Sequence, residues 1–304
     1  MVKQTEMERL IQRYKKYLSD SVSDKTKLDY ESDLNIFKEY LEDQGLEIKE
    51  VTLEHLENYA EHLRTKVIKR KGEECEGYAP SSRSRMLQVV KFFMGYLTEI
   101  RYIAENPSTI LKLPKIPKRD VVHLTLKEAR RLLRVIDKEG NDFLRLRDKA
   151  IIIMFLQHGL RVEEMSKVKI SDIKDKTISI IGKGDKQRTL ILTDDVITAI
   201  ENYMEVRFDV DTDYLWLSTR KKQMSARGIQ NMVYKYLDMA NLKGYSVHKL
   251  RSSAATLMSD KGVETSDIKE ILGHESIITT LRYTATTTTK KEQIAEKMNG
   301  LFTK

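Results

Sequence analysis

The chain has 304 residues, 40% hydrophobic and 33% charged, which is room for about two domains of ~100–200 residues and too much apolar material for a wholly disordered polymer. Its 54 Lys+Arg against 46 Asp+Glu leave a formal charge of +8, favouring a polyanionic partner, nucleic acid ahead of a membrane surface. One cysteine, Cys75, excludes an intramolecular disulfide, and the longest apolar run, Ala150 to Leu156, falls far short of the ~20 residues of a membrane helix.

No secretory h-region stands in the first twenty residues, so the expectation is a soluble, cytoplasmic protein, nucleoid-associated if prokaryotic, with no membrane partner. Met7, Leu10, Ile11, Tyr14 and Leu18 fall at helical spacing and predict a first helix that stops before the Ser21–Asp24 turn cluster. A second helix carries Leu28, Leu34, Phe37 and Leu41 and closes at Gly45. A third follows Thr52 with Leu53, Leu56, Ala60 and Leu63. The charged stretch KVIKRKGEECEGYAP, Lys66 to Pro80, reads as an exposed loop. Ser81 and Ser82 then cap a helix whose stripe is Met86, Val90, Phe93, Met94 and Leu97. Residues 1–110 therefore read as a small helical bundle.

Three of the four prolines, Pro107, Pro114 and Pro117, lie in NPSTILKLPKIPKR, which contains no acid. Pro fixes φ and removes backbone donors, so residues 111–122 read as an extended basic linker. Beyond it, LTLKEARRLLRVID starts a helix and RDKAIIIMFLQHGL is apolar enough for a helix buried on most sides. The period then changes to two. Thr177–Ile181 and Arg188–Leu192 predict a hairpin around GKGDKQ, and Tyr214–Leu217 a third strand. Helices return at Ser225–Ala240, His248–Asp260 and Glu264–Leu272, giving a mixed second domain at 123–283. TATTTTKK at 284–291 reads as a hinge before a tail, 284–304, whose Ile294, Met298, Leu301 and Phe302 form an apolar stripe. The fold class is mainly α with a small antiparallel β-sheet.

Metal chemistry has no support in the spacing: the six histidines are scattered and there is no HExxH or CxxC pair. GKGDK lacks the length and following Ser/Thr of a phosphate-binding loop. What remains is cationic and imidazole chemistry in the second domain. Arg161, in QHGLRVEEM, follows a nearly all-apolar run where a guanidinium needs a partner, and Glu164 stands at i+3. His248 and Arg251, in YSVHKLRSSAAT, are three apart on one helix and share a face within reach of a single anion. His274 precedes Tyr283 by nine residues in LGHESIITTLRYT. Taken one at a time, a helix-end salt bridge, a surface His-x-x-Arg and a packed tyrosine are the simpler readings.

Together and in this order, GLRVEEM, IIGKGDKQR, HKLRSSAAT and LGHESIITTLRYT resemble the boxes of the tyrosine site-specific recombinases, the phage integrase and Xer-like family. The resemblance runs over nearly the whole chain and implies an N-terminal helical core-binding domain, an interdomain linker and a mixed α+β catalytic domain; the two-domain size is most similar to the Xer type. It implies that Tyr283 attacks a scissile DNA phosphate, giving a 3′-phosphotyrosyl link and a free 5′-OH, and that the reaction proceeds through a Holliday junction. Arg161, Arg251 and His274 would surround the phosphorane, whose equatorial charge suits forked guanidinium donors. Lys183 would protonate the leaving 5′-oxygen, with Lys186 ranked second, and His248 would accept the tyrosine proton or bond the phosphate. Glu164 is carried over as support for the arginines. Ser252 stands where the family often has a histidine. Because the covalent link stores the phosphodiester energy, neither metal nor ATP is implied.

Candidate phosphate contacts are Lys69, Arg70, Arg83, Arg85, Lys112, Lys115, Lys118, Arg119, Lys186, Arg188, Lys221 and Lys222. The implied partner is double-stranded DNA carrying specific recombination sites, bound by a homotetramer on two sites, or a heterotetramer with a related recombinase, with the tail packing into a neighbouring protomer. Two alternatives stay open from sequence: DNA relaxation of the type IB topoisomerase kind, and a non-catalytic DNA-binding regulator.

Overall fold

The computed structural model describes residues 5–19, 21–70, 72–116, 122–182, 187–273 and Thr280. The chain divides into two compact units, residues 1–119 and 120–304. The expected hinge at 284–291 and the tail stripe lie outside the described residues.

In the first unit, α1 (Glu6–Tyr17) starts with a reciprocal cap: the Thr5 hydroxyl accepts the Glu8 N–H at 3.2 Å while the Glu8 carboxylate accepts the Thr5 N–H at 3.0 Å. α2 (Asp24–Asp43) follows the Ser23 cap, and α3 (Leu53–Thr65) follows Thr52. α4 (Pro80–Glu99) closes the bundle. Leu10, Ile11 and Tyr14 meet Leu34, Phe37 and Leu41, Leu56 and Leu63, and Val90, Phe93, Met94 and Leu97 in one core. Each fully buried Leu or Phe contributes about 1.5–3 kcal/mol of apolar burial.

Three expectations for this unit are corrected. Leu28 is 58% exposed; it precedes Leu34 by six residues, about 120° off the buried stripe at ~100° per residue, and Tyr30 takes the inward place. Ser81 and Ser82 lie inside α4, whose cap is Ala79 with Pro80 in the first turn, where a missing N–H costs nothing. The segment Lys66–Pro80 is not a loop but a hairpin of β1 (Val67–Arg70) and β2 (Glu73–Glu76). Its register sets Ile68 opposite Cys75, Lys69 opposite Glu74 and Arg70 opposite Glu73, and opposite charges at facing positions favour such a pairing. Gly77, at φ 69°, must be glycine: a Cβ there would lie 2.0 Å from the Arg64 carbonyl oxygen.

In the second unit, α5 (Leu126–Ile136) is capped by Thr125 and Glu128 and lays Ala129, Leu132 and Ile136 on α6 (Asp142–His158). α6 is the central helix, with Ala150, Ile151, Ile152, Met154 and Phe155 fully buried. Its buried ion pair, Arg147 with Asp148, is completed by Arg147 donating to the Leu217 carbonyl at 2.8 Å and by the Tyr236 hydroxyl donating to Asp148 at 3.0 Å, so both buried charges of the pair are compensated. α7 (Val162–Ser166) leads to a three-stranded antiparallel sheet, β3 (Ile173–Lys174), β4 (Thr177–Ile181) and β5 (Gln187–Ile191). Asp175 and Lys176, at φ 44° and 64°, make the tight β3–β4 turn.

Among the described residues the unit continues with α8 (Asp194–Val206), α9 (Ala226–Met239), α10 (Val247–Asp260) and α11 (Thr265–Leu272). Tyr214–Leu217 is not the third strand. Its residues make only isolated bridges, Lys169 with Tyr214 and Leu217 with Gln223, and Leu215, Trp216 and Leu217 are apolar because the segment crosses the core. α8 is absent from the sequence reading, although Thr193, Asp194 and Asp195 form a start signal and Val196, Ala199, Ile200 and Tyr203 its buried stripe. Among the described residues no helix is long and apolar enough to cross a membrane.

Candidate active site

The site is organised around the end of α11. A helix leaves its last carbonyls without intrahelical partners and its C-terminus partly negative. Here three consecutive carbonyls each accept one guanidinium: Ile271 from Arg188 Nε at 3.1 Å, Leu272 from Arg251 Nη2 at 2.6 Å and Gly273 from Arg161 Nη2 at 3.0 Å. The three arginines come from β5, α10 and the start of α7.

Glycine makes this approach possible at two positions. α6 ends at Gly159 in the left-handed region, φ 58°, and a Cβ there would lie 2.5 Å from a Leu272 methyl and 3.2 Å from the Ala254 Cβ. Its carbonyl accepts Arg251 Nη1 at 2.6 Å. Gly273, at φ 64°, would bring a Cβ to 3.0 Å from Arg188 Nη1.

Glu164 ties two of the arginines together. Its carboxylate accepts Arg161 Nη1 at 2.8 Å, the Arg161 N–H at 2.8 Å, and both terminal nitrogens of Arg188 at 3.1 and 2.8 Å. Burial alone would push this carboxyl up, but the Arg188 hydrogen bonds, the Arg161 amide, the Arg188 charge and the Arg161 side-chain hydrogen bond outweigh it and hold it down at about 2. Three guanidiniums against one carboxylate leave two positive charges at the site. Arg161 retains 31% side-chain exposure, while Arg251 is buried. The arrangement presents fixed cationic forks to an anion.

Of the predicted site residues, the structure brings Arg161, Glu164 and Arg251 together. His248 is on α10 and exposed, and its carbonyl accepts the Ser252 hydroxyl at 3.1 Å. Lys183, Lys186, His274 and Tyr283 lie outside the described residues, as do Lys118 and Arg119 and the side chain of Arg70. Next to Gly159, His158 is buried, and desolvation pushes its imidazole down to about 4, which keeps it neutral.

Arg188 corrects the sequence reading. The sequence places it among the DNA contacts, whereas in the structure its side chain is 13% exposed and bonded to Glu164 and the Ile271 carbonyl. The signal was the strand period, which puts Arg188 on the same face as the buried Leu190, opposite the exposed Ile191. Arg85 is half exposed and paired with Asp33 at 2.6 Å. Lys69, Lys112, Lys115, Lys221 and Lys222 are exposed, and Arg83 is half-buried. The sequence reading passed over Arg9, Arg13 and Lys16, which stand at i, i+4 and i+7 on α1 and line a groove of about 620 Å³. Among the described residues no group of three His, Cys, Asp or Glu could hold a metal ion.

Residues 123–290 match the model of the phage integrase family, and residues 11–99 that of the phage integrase N-terminal SAM-like domain. The chain belongs to the phage integrase family. It is 41% identical over 212 residues to the tyrosine recombinase XerC of Caldanaerobacter subterraneus, covering 67% of this chain and 59% of that protein. It is 32% identical over 246 residues to the tyrosine recombinase XerA of Pyrococcus furiosus, covering 74% and 84%. The fold is shared with the XerH site-specific recombinase in a post-cleavage complex, at a TM-score of 0.73 and 19% identity, covering 97% of this chain and 98% of that one. The chain is thus a tyrosine recombinase, an enzyme class that breaks and rejoins DNA strands.

Proposed function

We propose that this chain recombines DNA at specific sites through a 3′-phosphotyrosyl intermediate and a Holliday junction, with Tyr283 as nucleophile. The observation that supports this most is the convergence of Arg161 and Arg251 on the end of α11, since His274 follows Gly273 directly in sequence. In this reading the Tyr283 oxygen bonds to phosphorus and the P–O5′ bond breaks. Lys183 gives its proton to the 5′-oxygen, while His248 takes the tyrosine proton or bonds the phosphate. Arg161, Arg251 and His274 hold the equatorial charge. Attack by a second 5′-OH on the phosphotyrosine rejoins the strand and returns the protons, without ATP or metal.

Residues 1–110 would serve as the core-binding domain, 111–122 as a linker along the backbone, 123–283 as the catalytic domain and 284–304 as the contact to a neighbouring protomer. The partner is double-stranded DNA carrying two recombination sites, bound by a tetramer in the cytoplasm. XerH was solved on its palindromic difH substrate, and we carry that partner class to this chain. Exposed Lys69, Lys112, Lys115, Lys221 and Lys222 would position phosphates.

A supercoiled plasmid bearing two directly repeated native sites, incubated with the protein in chelator and without ATP, should resolve into two circles. A plasmid lacking the sites should stay supercoiled. Relaxation of both plasmids without resolution would instead place the chain with the type IB topoisomerases, and binding without either change with the regulators.

A further inference from the structure

The family reading leaves a third arginine at the site without a role. Arg188 meets Glu164 with both terminal nitrogens and donates its Nε to the Ile271 carbonyl. The same carboxylate holds Arg161, whose remaining fork reaches the carbonyl two residues further on. Arg188 and Arg161 thus grip one carboxylate and one helix end from two sides. A lone buried Glu164–Arg161 pair could swivel; a second, bidentate guanidinium fixes the plane of the carboxylate and so the direction of Arg161. Arg161 is the more exposed of the pair, at 31% against 13%, so it is the one that can face an incoming anion.

We propose that Arg188 is a positioning residue for the cleavage step, holding Arg161 in its phosphate-facing orientation through their shared partner Glu164 and the end of α11. This rests on the reading of Arg161 as a stabiliser of the phosphorane. A misplacement of about 1 Å at a reacting centre costs on the order of 10²-fold in rate. Lysine at this position would keep the charge and lose the fork.

The test is single-turnover cleavage of a nicked suicide duplex carrying the native core site, made either with an ordinary scissile phosphate or with a methylphosphonate there. The methylphosphonate replaces a charged non-bridging oxygen by methyl and asks less of the arginines. Arg188→Gln should cut the ordinary substrate about 10²-fold more slowly than wild type at saturating protein, with DNA affinity within about twofold, and the methylphosphonate should narrow that deficit to within about tenfold. Arg188→Lys should fall between, and it carries the test if the glutamine variant does not fold. Weaker DNA binding with a normal rate at saturation would make Arg188 a phosphate contact, and equal deficits on both substrates in a folded variant would make it merely structural; either overturns the proposal. Arg161→Ala, run alongside, should show the same narrowing. If it does not, the phosphorane role of Arg161 fails, and the fault lies in the underlying reading.

Discussion

Replacing Arg251 by alanine is expected to slow strand cleavage by about 10²–10³-fold at saturating DNA while leaving the affinity for a single site within a few-fold. The side chain is buried, 6% exposed, and two of its donors are anchored at 2.6 Å on the Gly159 and Leu272 carbonyls. A guanidinium fixed in this way needs no reorganisation when charge develops on a phosphate, which is why its loss acts on the transition state more than on binding. Arg251→Lys should recover little, because an ammonium cannot span both carbonyls as a planar fork. Single-turnover cleavage and equilibrium binding, measured on the same duplex, separate the two effects. Equal losses in binding and cleavage would show that Arg251 grips DNA without favouring the transition state.

Glu164→Gln is expected to be the most destabilising single change at the site. It leaves Arg161 and Arg188 facing one another without the carboxylate between them, and breaking a buried pair in this way costs about 3–5 kcal/mol. In a unit of this size each kcal/mol lowers the melting temperature by about 2–4 °C. The pH dependence has a definite sign. The Glu164 carboxyl is held at about 2, below its ordinary 4.5, so its contribution is fully present above the unfolded value and is lost as pH falls from about 4.5 toward 2. The gap in melting temperature between wild type and Glu164→Gln should be widest above pH 5 and shrink toward pH 3. A gap that does not change with pH would contradict the assignment.

Much of this architecture can be read from residue spacing, and the failures have physical causes. α1, α3 and α6 announce themselves through apolar stripes, and α3 through its cap as well: the spacing of Leu10, Ile11 and Tyr14, the Thr52 cap and the run Ala150–Leu156 carry the reading. The β1–β2 hairpin is mostly charged, with Lys69, Glu73, Glu74 and Glu76 exposed, which leaves no periodic apolar signal. Tyr214–Leu217 has the composition of a strand because it crosses a core, where burial and strand formation select the same residues. At the site, the Arg161–Glu164 pair follows from i, i+3 spacing. The meeting of three arginines on Ile271, Leu272 and Gly273 does not, since it joins backbone acceptors to side chains 21 to 112 residues away. Arg188 looked like one more surface cation of a basic hairpin until the strand alternation through Leu190 placed it inward.

The measurement that bears most directly on the central claim is a suicide-substrate assay with wild type and Tyr283→Phe, on nicked DNA carrying the native core site, in chelator and without ATP. Wild type should accumulate a covalent protein–DNA adduct through the 3′-phosphate, and Tyr283→Phe should bind the same DNA equally well and form none. An adduct of the same yield from Tyr283→Phe, or tight binding by wild type with no adduct, would contradict the account.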